Sequence, residues 1–333
     1  MTPAGFNLSH WWKRRNNRAL NKREFRERRT VLKSMPQIAY LDVSNACPLS
    51  CPLCPTGKKE SSAVKGLMKF STFKKIFDEI GPYLYELHLY NWGEPLLNQD
   101  LPEMIRYAKS RYDVDVILST TLMKVSKDLA TELIKAKPDL ISLSIDGATQ
   151  EVYEKYRVGG KLDEIFATLR LMVDVKDTLG QKKPLLRWQF IPMKHNEHEI
   201  ETARKMASEM GVAFRTHRVR LNVTNFDKKD FKDILEENKD WLPKDEKYIR
   251  YDDSGAKSVC KFLWDRVIVN FDGSIAPCCK IYTKEDLFTD KYPESFQDVW
   301  NGEKYQKARA IFTGTTTDKD FVCQRCFDRD GNI

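Results

Sequence analysis

From residue 36 onward, short apolar runs alternate with segments whose apolar residues recur at helical spacing, and no other feature constrains the fold as strongly. Strands that alternate with helices in this way form parallel strand-helix units. The predicted strands are 37–43, 85–90, 114–119, 140–145, 186–191 and 212–219, and the predicted helices are 71–80, with Ser71 as its N-cap, 101–109, 127–135, 162–174 and 199–210.

Units of this kind either curl into a barrel or stack into an open sheet, and hydrophobic periodicity does not distinguish the two. A length of 333 residues, with 41% hydrophobic residues, suits one large domain or two modest ones. No apolar run in the sequence approaches the roughly 20 residues that span a bilayer, and the N-terminus lacks the order of a signal peptide. We therefore expect a cytoplasmic protein.

Three cysteines follow the first predicted strand and span eight residues, namely Cys47, Cys51 and Cys54. Thiols at this spacing can converge on one inorganic centre. Three thiolates leave one iron of a cubane cluster without a protein ligand and open to a small molecule. The alternatives are a zinc knuckle or a disulfide pair, but zinc usually needs a fourth ligand nearby, and the next histidine is His88.

The spacing Cys-x3-Cys-x2-Cys resembles the signature of the radical S-adenosylmethionine (SAM) superfamily, and the resemblance extends over most of the chain. It implies a partial (β/α)6 barrel of the TIM type over residues 36–221, with the cysteine loop after the first strand. It also implies a 4Fe-4S cluster whose open iron is chelated by the methionine end of SAM. Electron transfer from the cluster would cleave SAM to a 5'-deoxyadenosyl radical that abstracts hydrogen from a substrate.

The stretch Asn-Trp-Gly-Glu-Pro at residues 91–95 follows the second predicted strand. It resembles the Gly-Gly-Glu motif of the superfamily, with Trp92 in place of the first glycine. The resemblance implies that Gly93 and Glu94 hold the amino group of SAM, and an ammonium bound to iron does need acceptors that fix its orientation. From the residues alone, an ordinary turn between strand and helix is the alternative.

The fourth predicted strand ends in Ser-Leu-Ser-Ile-Asp-Gly at residues 142–147, and Tyr153 and Arg157 follow. These residues resemble the Ser-x-Asp-Gly and Tyr-x-x-x-Arg stretches of many superfamily members. The resemblance implies that Ser144 and Arg157 reach the carboxylate or the ribose of SAM. The planar guanidinium of arginine suits a carboxylate, but a surface arginine on a helix remains an equal alternative.

Asn196 lies after the fifth predicted strand and matches a frequent polar position of the superfamily, which implies a further SAM contact. His195 and His198, three residues apart, are expected to have loop or helix-cap roles rather than to bind a metal. The chain departs from the superfamily pattern at Leu53, where an aromatic residue is frequent, and at residues 120–122, where Asn-Gly is frequent. Both departures concern expected contacts to adenine and ribose, and neither changes a cluster ligand.

A second set of cysteines surrounds a predicted strand, Asp-Gly turn and strand at residues 266–277, and a predicted helix at 296–311 follows. The arrangement resembles the Twitch form of the SPASM auxiliary-cluster domain, and its spacing is similar to that of an alcohol dehydrogenase of an aminoglycoside pathway. The resemblance implies a second 4Fe-4S cluster with four cysteine ligands, and a structural zinc site is the alternative. The implied ligands are Cys260, Cys278, Cys323 and Cys326, while Cys279 is an extra thiol that packs or exchanges with Cys278.

Residues 1–35 form a predicted basic helical arm, in which ten basic residues between Lys13 and Lys33 face only Glu24 and Glu27. A basic helix with tryptophans suits an anionic membrane or phosphates, and a solvated arm that packs on the barrel is an equal alternative. Nucleic-acid binding is disfavoured because no recognised nucleic-acid module accompanies the charge. Residues 222–255 are predicted to link the barrel to an auxiliary domain at 256–333.

Together these features predict a radical SAM oxidoreductase that oxidises a small polyol or sugar-like alcohol, with the auxiliary cluster as electron acceptor. The substrate is expected to bear phosphate or a lipid link, and an external reductant such as flavodoxin or ferredoxin is expected to supply electrons. The alternatives are maturation of a ribosomal peptide, by thioether formation or epimerisation, an iron-sulfur electron carrier without enzymatic activity, and a zinc-stabilised binding module.

Overall fold

The computed structural model describes residues 8–59, 65–123, 125–219, 231–249 and 259–330. The strands are β1 (Ile38–Leu41), β2 (Glu86–His88), β3 (Asp115–Thr120), β4 (Leu140–Ser144), β5 (Leu185–Phe190), β6 (Ala213–Thr216), β7 (Arg266–Val269) and β8 (Ile275–Ala276). The helices are α1 (Leu8–Arg26), α2 (Pro55–Lys58), α3 (Phe70–Ile80), α4 (Leu101–Arg111), α5 (Lys127–Ala136), α6 (Gln150–Tyr156), α7 (Leu162–Thr178), α8 (Ile200–Glu209), α9 (Phe231–Glu237), α10 (Phe262–Asp265), α11 (Phe296–Trp300), α12 (Glu303–Phe312) and α13 (Val322–Asp330).

These strands form one sheet in the order β6-β5-β4-β3-β2-β1-β7-β8. From β1 to β6 each strand pairs in parallel with the next strand of the chain. β7 joins the free side of β1, also in parallel, with Ala39 opposite Val267, and β8 returns antiparallel to β7. The predicted parallel strand-helix barrel and the predicted hairpin are therefore confirmed, and the hairpin continues the barrel sheet.

Alternate residues of the strands face the helices and the barrel interior, as β5 shows. Leu186, Trp188 and Phe190 are at most 2% exposed, and the Trp188 ring lies 5.4 Å from the ring of Phe166 on α7. Arg187 and Gln189, at the positions between them, are half-buried on the opposite side of the strand. The helix-facing side thus forms the apolar core, and the inner face carries polar side chains. We call this inner face the lumen.

The helix α1 packs on the barrel and on the carboxyl-terminal region. Its Asn17 side chain donates to the Met35 carbonyl at 2.9 Å and accepts from the Met35 amide at 2.8 Å. The Phe25 ring contacts the Trp264 ring at a centroid distance of 5.5 Å. The helix ends at Arg26, before the predicted end of the helical arm, and Arg28 has a left-handed φ of 58°.

The buried side chain of Arg309 on α12 joins three parts of the chain. It donates to the carbonyls of Leu263 on α10 at 2.9 Å, and of Thr30 and Trp300 at 2.8 Å each. Burial lowers the pKa of the guanidinium to about 9. A charge in such surroundings is tolerated only with several acceptors, so Arg309 fixes the arm, α10 and α11 relative to one another.

Two local predictions are wrong. Ser71 is not an N-cap, since α3 begins at Phe70 and its N-cap position is Lys69, whose side chain makes no capping bond. The predicted helix 296–311 is interrupted at Asn301, whose side chain accepts from the Leu32 amide at 2.7 Å and donates to the Leu32 carbonyl at 2.7 Å. Tertiary contacts thus outweighed the local signals in both places.

The predicted linker 222–255 lies outside the described residues except for 231–249, which contain α9 and a 3-10 helix at Glu246–Tyr248. The predicted domain boundaries stay predictions. Within the described residues, no helix has the length and apolar character that crossing a membrane requires.

Candidate radical SAM site and auxiliary cysteine site

The cysteine loop between β1 and α2 is held by backbone hydrogen bonds from two neighbouring segments. The Glu94 amide donates to the Ala46 carbonyl at 2.7 Å, and the Ser50 amide donates to the Val158 carbonyl at 3.0 Å. The first bond comes from the segment after β2 and the second from the segment after α6. The loop therefore lies at the carboxyl ends of the strands, where parallel barrels place their functional groups.

Cys47, Cys51 and Cys54 are free thiols in this loop, and Cys51 and Cys54 both act electrostatically on Cys47. Burial raises the pKa of Cys47 to about 12, and burial also raises the pKa of Cys51. A Cβ atom at Gly57 would lie 2.5 Å from backbone atoms of Cys51, so the loop closes only around a glycine. Buried thiols lose their protons when a metal centre supplies positive charge, which fits an iron-sulfur cluster.

Arg157 brings a guanidinium to the same loop. Its Nη1 lies 3.8 Å from the Cys51 sulfur, and the Arg157 charge opposes the raised pKa of Cys51. The guanidinium is held by the fully buried Asp146, with Nε at 2.7 Å and Nη2 at 2.6 Å from Oδ2. Asp146 also accepts from the Ile191 amide at 2.7 Å. Asp146 is a residue that sequence reasoning did not single out, although it stands in the Ser-x-Asp-Gly stretch.

Gly93 passes directly against the cysteine loop. A Cβ atom at this position would lie 1.9 Å from the Ser44 carbonyl oxygen, so no other residue fits without moving the backbone. The turn before it covers the buried Asp42, whose Oδ1 accepts from the Trp92 amide at 3.3 Å. Burial raises the pKa of Asp42 to about 7, against the lowering effect of backbone N–H groups of residues 91–93. Asp42 was not predicted; its signal is a carboxylate directly after an apolar strand.

Glu94 lies inside the protein, and its carboxylate accepts from the chain itself. Thr120 Oγ1 donates to it at 2.6 Å, and the amide and hydroxyl of Thr121 donate at 2.7 Å each. Burial raises its pKa, and these hydrogen bonds act in the opposite direction. The threonines stand where the superfamily often has Asn-Gly, so this departure supplies the donors that hold Glu94. Contact of Gly93 and Glu94 with SAM stays a prediction.

The other two predicted SAM contacts are buried. Asn196 donates to the carbonyls of Asp146 at 2.9 Å and Ile191 at 3.1 Å, and its Oδ1 accepts from the Met193 amide at 2.6 Å. Its side chain therefore connects the segments after β4 and β5. Ser144 points into the lumen, with its hydroxyl 3.4 Å from the Ser119 hydroxyl. Arg157 approaches the cysteine loop, whereas Ser144 and Asn196 contact residues in or directly after the strands. The SAM contacts of all three residues stay predictions.

The two predicted histidines differ. His195 is half-buried against the Trp241 ring at a centroid distance of 5.5 Å, and burial lowers its pKa to about 4. His198 lies in the 3-10 helix Glu197–Glu199. Nothing in the described part of the chain joins them into a metal pair.

The lumen side of β1 and β2 contains a hydrogen-bonded chain of side chains that sequence reasoning missed. His88 Nε2 lies 2.9 Å from Glu86 Oε2, and His88 Nδ1 lies 3.3 Å from the Tyr90 hydroxyl. The His88 ring stacks on Tyr40 at a centroid distance of 4.2 Å. Cys279 raises the pKa of Tyr40 and of Tyr90, after the larger effect of burial on each. The signal is polar residues at alternate positions of a strand, since Glu86, His88 and Tyr90 share one face.

The second cysteine set gathers from three elements. Cys260 precedes α10, Cys278 follows β8, and Cys323 and Cys326 lie one turn apart on α13. The Cys323 thiol interacts with the other three, and burial raises its pKa well above the usual value. Burial also raises the pKa of Cys260 to about 11 and that of Cys278 to about 12.

The structure thus brings the four predicted auxiliary ligands together, and Cys279 faces the lumen tyrosines beside them. Across the described residues, no three His, Cys, Asp or Glu side chains are grouped tightly enough for a single metal ion. Both cysteine sets offer buried, soft thiol donors, which suit iron-sulfur clusters. The ligand assignments stay predictions.

Comparisons with known proteins give the family. The sequence model described as Radical SAM superfamily matches residues 41–181, and the model of the SPASM iron-sulfur cluster-binding domain matches residues 260–327. An AdoMet-dependent heme synthase of Methanosarcina barkeri is 24% identical over 184 residues, which cover 54% of this chain and 50% of that protein. The chain spans about half the length of the first curated relatives that it matches.

Two solved structures share the fold. BtrN in complex with AdoMet and 2-DOIA has a TM-score of 0.54 at 13% identity, over 88% of this chain and 93% of that chain. Streptococcus suis SuiB bound to precursor peptide SuiA has a TM-score of 0.60 at 12% identity, over 93% of this chain and 74% of that chain. These findings confirm the family predicted from the cysteine spacing. Residues 41–181 are therefore a radical SAM domain and residues 260–327 a SPASM iron-sulfur cluster-binding domain, and these domains imply 4Fe-4S clusters and SAM as the cofactors.

Proposed function

We propose that this radical SAM enzyme oxidises a small polyol or sugar-like alcohol to a ketone. The conversion removes one hydrogen atom from carbon, one proton from the hydroxyl group and one electron, so it needs a proton acceptor and an electron acceptor besides SAM. The observation that carries the proposal is the chain Tyr90–His88–Glu86 in the lumen, on which Cys279 of the second cysteine region acts. A path for a proton and the proposed electron acceptor would thus meet at one side of the lumen.

The residues of the first site have separable tasks. Cys47, Cys51 and Cys54 would ligate the SAM-binding cluster, and Arg157, held by Asp146, would balance the negative charge of its thiolates. Gly93 allows the turn after β2 to approach the cysteine loop, where its backbone would orient the amino group of SAM. When bound, the first cluster and SAM supply the hydrogen-abstracting radical, and the auxiliary cluster supplies the electron acceptor.

The lumen chain would move the hydroxyl proton. Burial raises the pKa of Tyr90, so its hydroxyl remains protonated and donates to His88 Nδ1. His88 Nε2–H then donates to Glu86, whose pKa is lowered chiefly by this bond. A proton taken up by the Tyr90 oxygen would be compensated by transfer of the tyrosine proton to His88. The Glu86 side chain is 43% exposed, which gives the chain an outlet to solvent.

The electron side is linked to the SAM side by Trp92. Its indole N–H donates to the Ile281 carbonyl at 3.1 Å, and its ring contacts the Tyr282 ring at 5.5 Å between centroids. Ile281 and Tyr282 follow Cys278 and Cys279 in the sequence. A residue of the predicted SAM motif therefore contacts the segment that follows the predicted auxiliary ligand Cys278, which supports a shared reaction of the two centres.

The test uses the reconstituted protein with SAM, a reductant and candidate polyols under anaerobic conditions. We expect a product two mass units lighter than the substrate, formed in step with 5'-deoxyadenosine. Tyr90→Phe should keep SAM cleavage and lose most of the oxidised product, while Tyr85→Phe, outside the lumen chain, should change neither. A product of unchanged mass that carries solvent deuterium would indicate epimerisation, and a cross-linked peptide would indicate maturation of a ribosomal peptide; either result defeats the proposal.

The partners follow from the same chemistry. Free thiols in both cysteine sets suit a reducing compartment, so we assign the enzyme to the cytoplasm, with flavodoxin or ferredoxin as the class of reductant. α1 exposes Trp12 and several basic residues, and Arg15 lies over the Trp12 ring at 5.8 Å. This face suits peripheral contact with an anionic membrane. Cosedimentation with anionic and neutral vesicles tests it, and equal behaviour with both would remove the assignment.

A further inference from the structure

The lumen side of β5 and β6, opposite Tyr90, contains a group of cationic side chains. Arg187 pairs in register with Ser142 of β4, and Arg215 pairs with Gln189 of β5. Residues that pair in register share one face of a sheet, so both arginines belong to the face that Ser142 and Gln189 line. His217 follows Arg215 by two residues and lies on the same side.

Among the described residues, these basic groups have no acidic partner. The charges that act on Arg187 are those of Arg215 and Tyr90, and those that act on His217 are of Arg215 and Arg187. Burial comes first, and mutual repulsion second, in lowering the pKa of both Arg187 and His217. No ion pair that the described residues make involves any of the three.

Two of their nitrogen atoms are also buried and have no hydrogen-bond partner within the part of the chain that the structure describes. They are Arg187 Nε and the ring atom Nε2 of His217. Buried polar atoms nearly always have partners, so an orphaned guanidinium nitrogen beside a second arginine and a histidine indicates a ligand outside the chain. The neighbouring Gln189 accepts from the Ser142 hydroxyl through Oε1 at 3.2 Å, and among the described residues it makes no hydrogen bond to Arg187.

We propose that Arg187, Arg215 and His217 bind an oxyanion of the substrate, a phosphate or a carboxylate. The group would accept from the orphaned Nε of Arg187, from Arg215 and from the ring of His217, and its negative charge would replace the repulsion between the arginines by charge-assisted hydrogen bonds. Arg187 acts electrostatically on Tyr90, so a small substrate anchored by its anion would extend from Arg187 toward the Tyr90 hydroxyl. The inference rests on the proposed function only in placing the substrate in the lumen.

The experiment measures binding to the reconstituted full-length protein without turnover. Glucose 6-phosphate, glucuronate, inorganic phosphate and uncharged glucose serve as probes, with calorimetric titration and thermal melting as readouts. We expect the anionic probes to bind and to raise the melting temperature, and glucose to do neither. The ratio of the dissociation constants of glucose 6-phosphate and glucuronate distinguishes a phosphate site from a carboxylate site.

Variants make the test specific. Arg187→Gln and Arg215→Gln should weaken anion binding at least tenfold. Arg218→Gln should leave it unchanged, because alternation places Arg218 on the other side of the segment from Arg215 and His217. Without a ligand, Arg187→Gln should melt higher than the wild type because one repelling charge is gone, and phosphate should no longer stabilise it. Arg187→Lys keeps the positive charge and serves as the second variant if Arg187→Gln does not fold. It should retain part of the anion binding.

The inference is overturned if glucose binds as well as glucose 6-phosphate, or if the Arg187 and Arg215 variants bind anions like the wild type. These outcomes can be distinguished from a failure of the proposed oxidation. Oxidation of neutral polyols without anion binding would remove the oxyanion site alone. Anion binding by a protein that epimerises its substrate would keep the oxyanion site and remove the oxidation.

Discussion

The two cysteine regions of this protein differ in how their thiols are assembled. In the first region, all three cysteines lie on one loop of eight residues, and the chain adds Arg157 as a cation beside Cys51. In the second region, four cysteines come from segments as far apart as Cys260 and Cys326, brought together by the β7–β8 hairpin and α13. The first predicted ligand set is local and has three thiols, and the second is non-local and has four.

This difference separates two chemical tasks. A cluster with three protein ligands keeps an iron open for a small molecule, whereas a cluster with four thiolates is closed and suited to electron transfer. Two buried carboxylates, Asp42 and Glu94, lie near the first region, and Arg157 approaches its Cys51 sulfur. The following predictions test this division, from the largest expected effect to the smallest.

Replacing a cysteine of the open region should abolish the first chemical step. We expect Cys51→Ala to lower formation of 5'-deoxyadenosine by on the order of 100-fold or more, because metal affinity already falls 10–100-fold when only an outer-shell partner is lost. Anaerobic assay of 5'-deoxyadenosine measures the effect, with Cys279→Ala as a matched control that should keep SAM cleavage. Wild-type cleavage by Cys51→Ala would show that the cofactor site is elsewhere.

A cysteine of the closed region should have a different effect. Cys323→Ala should retain some SAM cleavage, uncoupled from substrate, and lose substrate oxidation, because the electron acceptor is missing while the open cluster remains. The iron content should fall from about eight to about four atoms per chain, which is the content of one 4Fe-4S cluster. If Cys323→Ala lost cleavage as fully as Cys51→Ala, the two regions would not have separate tasks.

The buried Asp42 should give the open region a pH-dependent stability. Its pKa is raised from 3.8 to about 7, so between these values the folded protein holds a proton that the unfolded chain has released. Stability therefore falls as pH rises from about 4 to 7, by at most about 1.4 kcal/mol per pH unit. Asp42→Asn should reduce the decrease of the melting temperature with pH between pH 5 and 8. Asp163→Asn, at an exposed site, should keep the wild-type slope. An unchanged slope in Asp42→Asn contradicts the assignment.

The contact between the two regions should contribute least. Trp92→Phe removes the donor to the Ile281 carbonyl and keeps most of the ring, so we expect a loss of about 1 kcal/mol in the free energy of unfolding. It should also lower the ratio of oxidised product to 5'-deoxyadenosine. Trp12→Phe, at a side chain that is 53% exposed, is the control. An unaltered product ratio would show that Trp92 does not couple the two regions.

The sequence by itself determined the local features of this protein. Every predicted strand from 37–43 to 212–219 overlaps an observed strand, and the ends differ by up to three residues, because alternating burial locates a strand more firmly than it locates the strand's ends. The cysteine loop was readable for a similar reason, since its thiols need only local spacing to converge. Ser71 failed as an N-cap because packing of Phe70 against the Tyr107 ring, 5.7 Å away, extends α3 by one residue beyond the local signal.

Only the tertiary structure decided what lies between these elements. The hairpin could have formed a separate module, yet β7 pairs with β1 because a parallel sheet with a free edge can extend by backbone hydrogen bonds that no side-chain pattern encodes. Thr120 and Thr121 hold Glu94 from residues 26 and 27 positions away, and Arg157 reaches Cys51 from 106 positions away. The unpaired Arg187 and His217 belong to the same class, since the absence of a partner becomes visible only when every neighbouring side chain has its place.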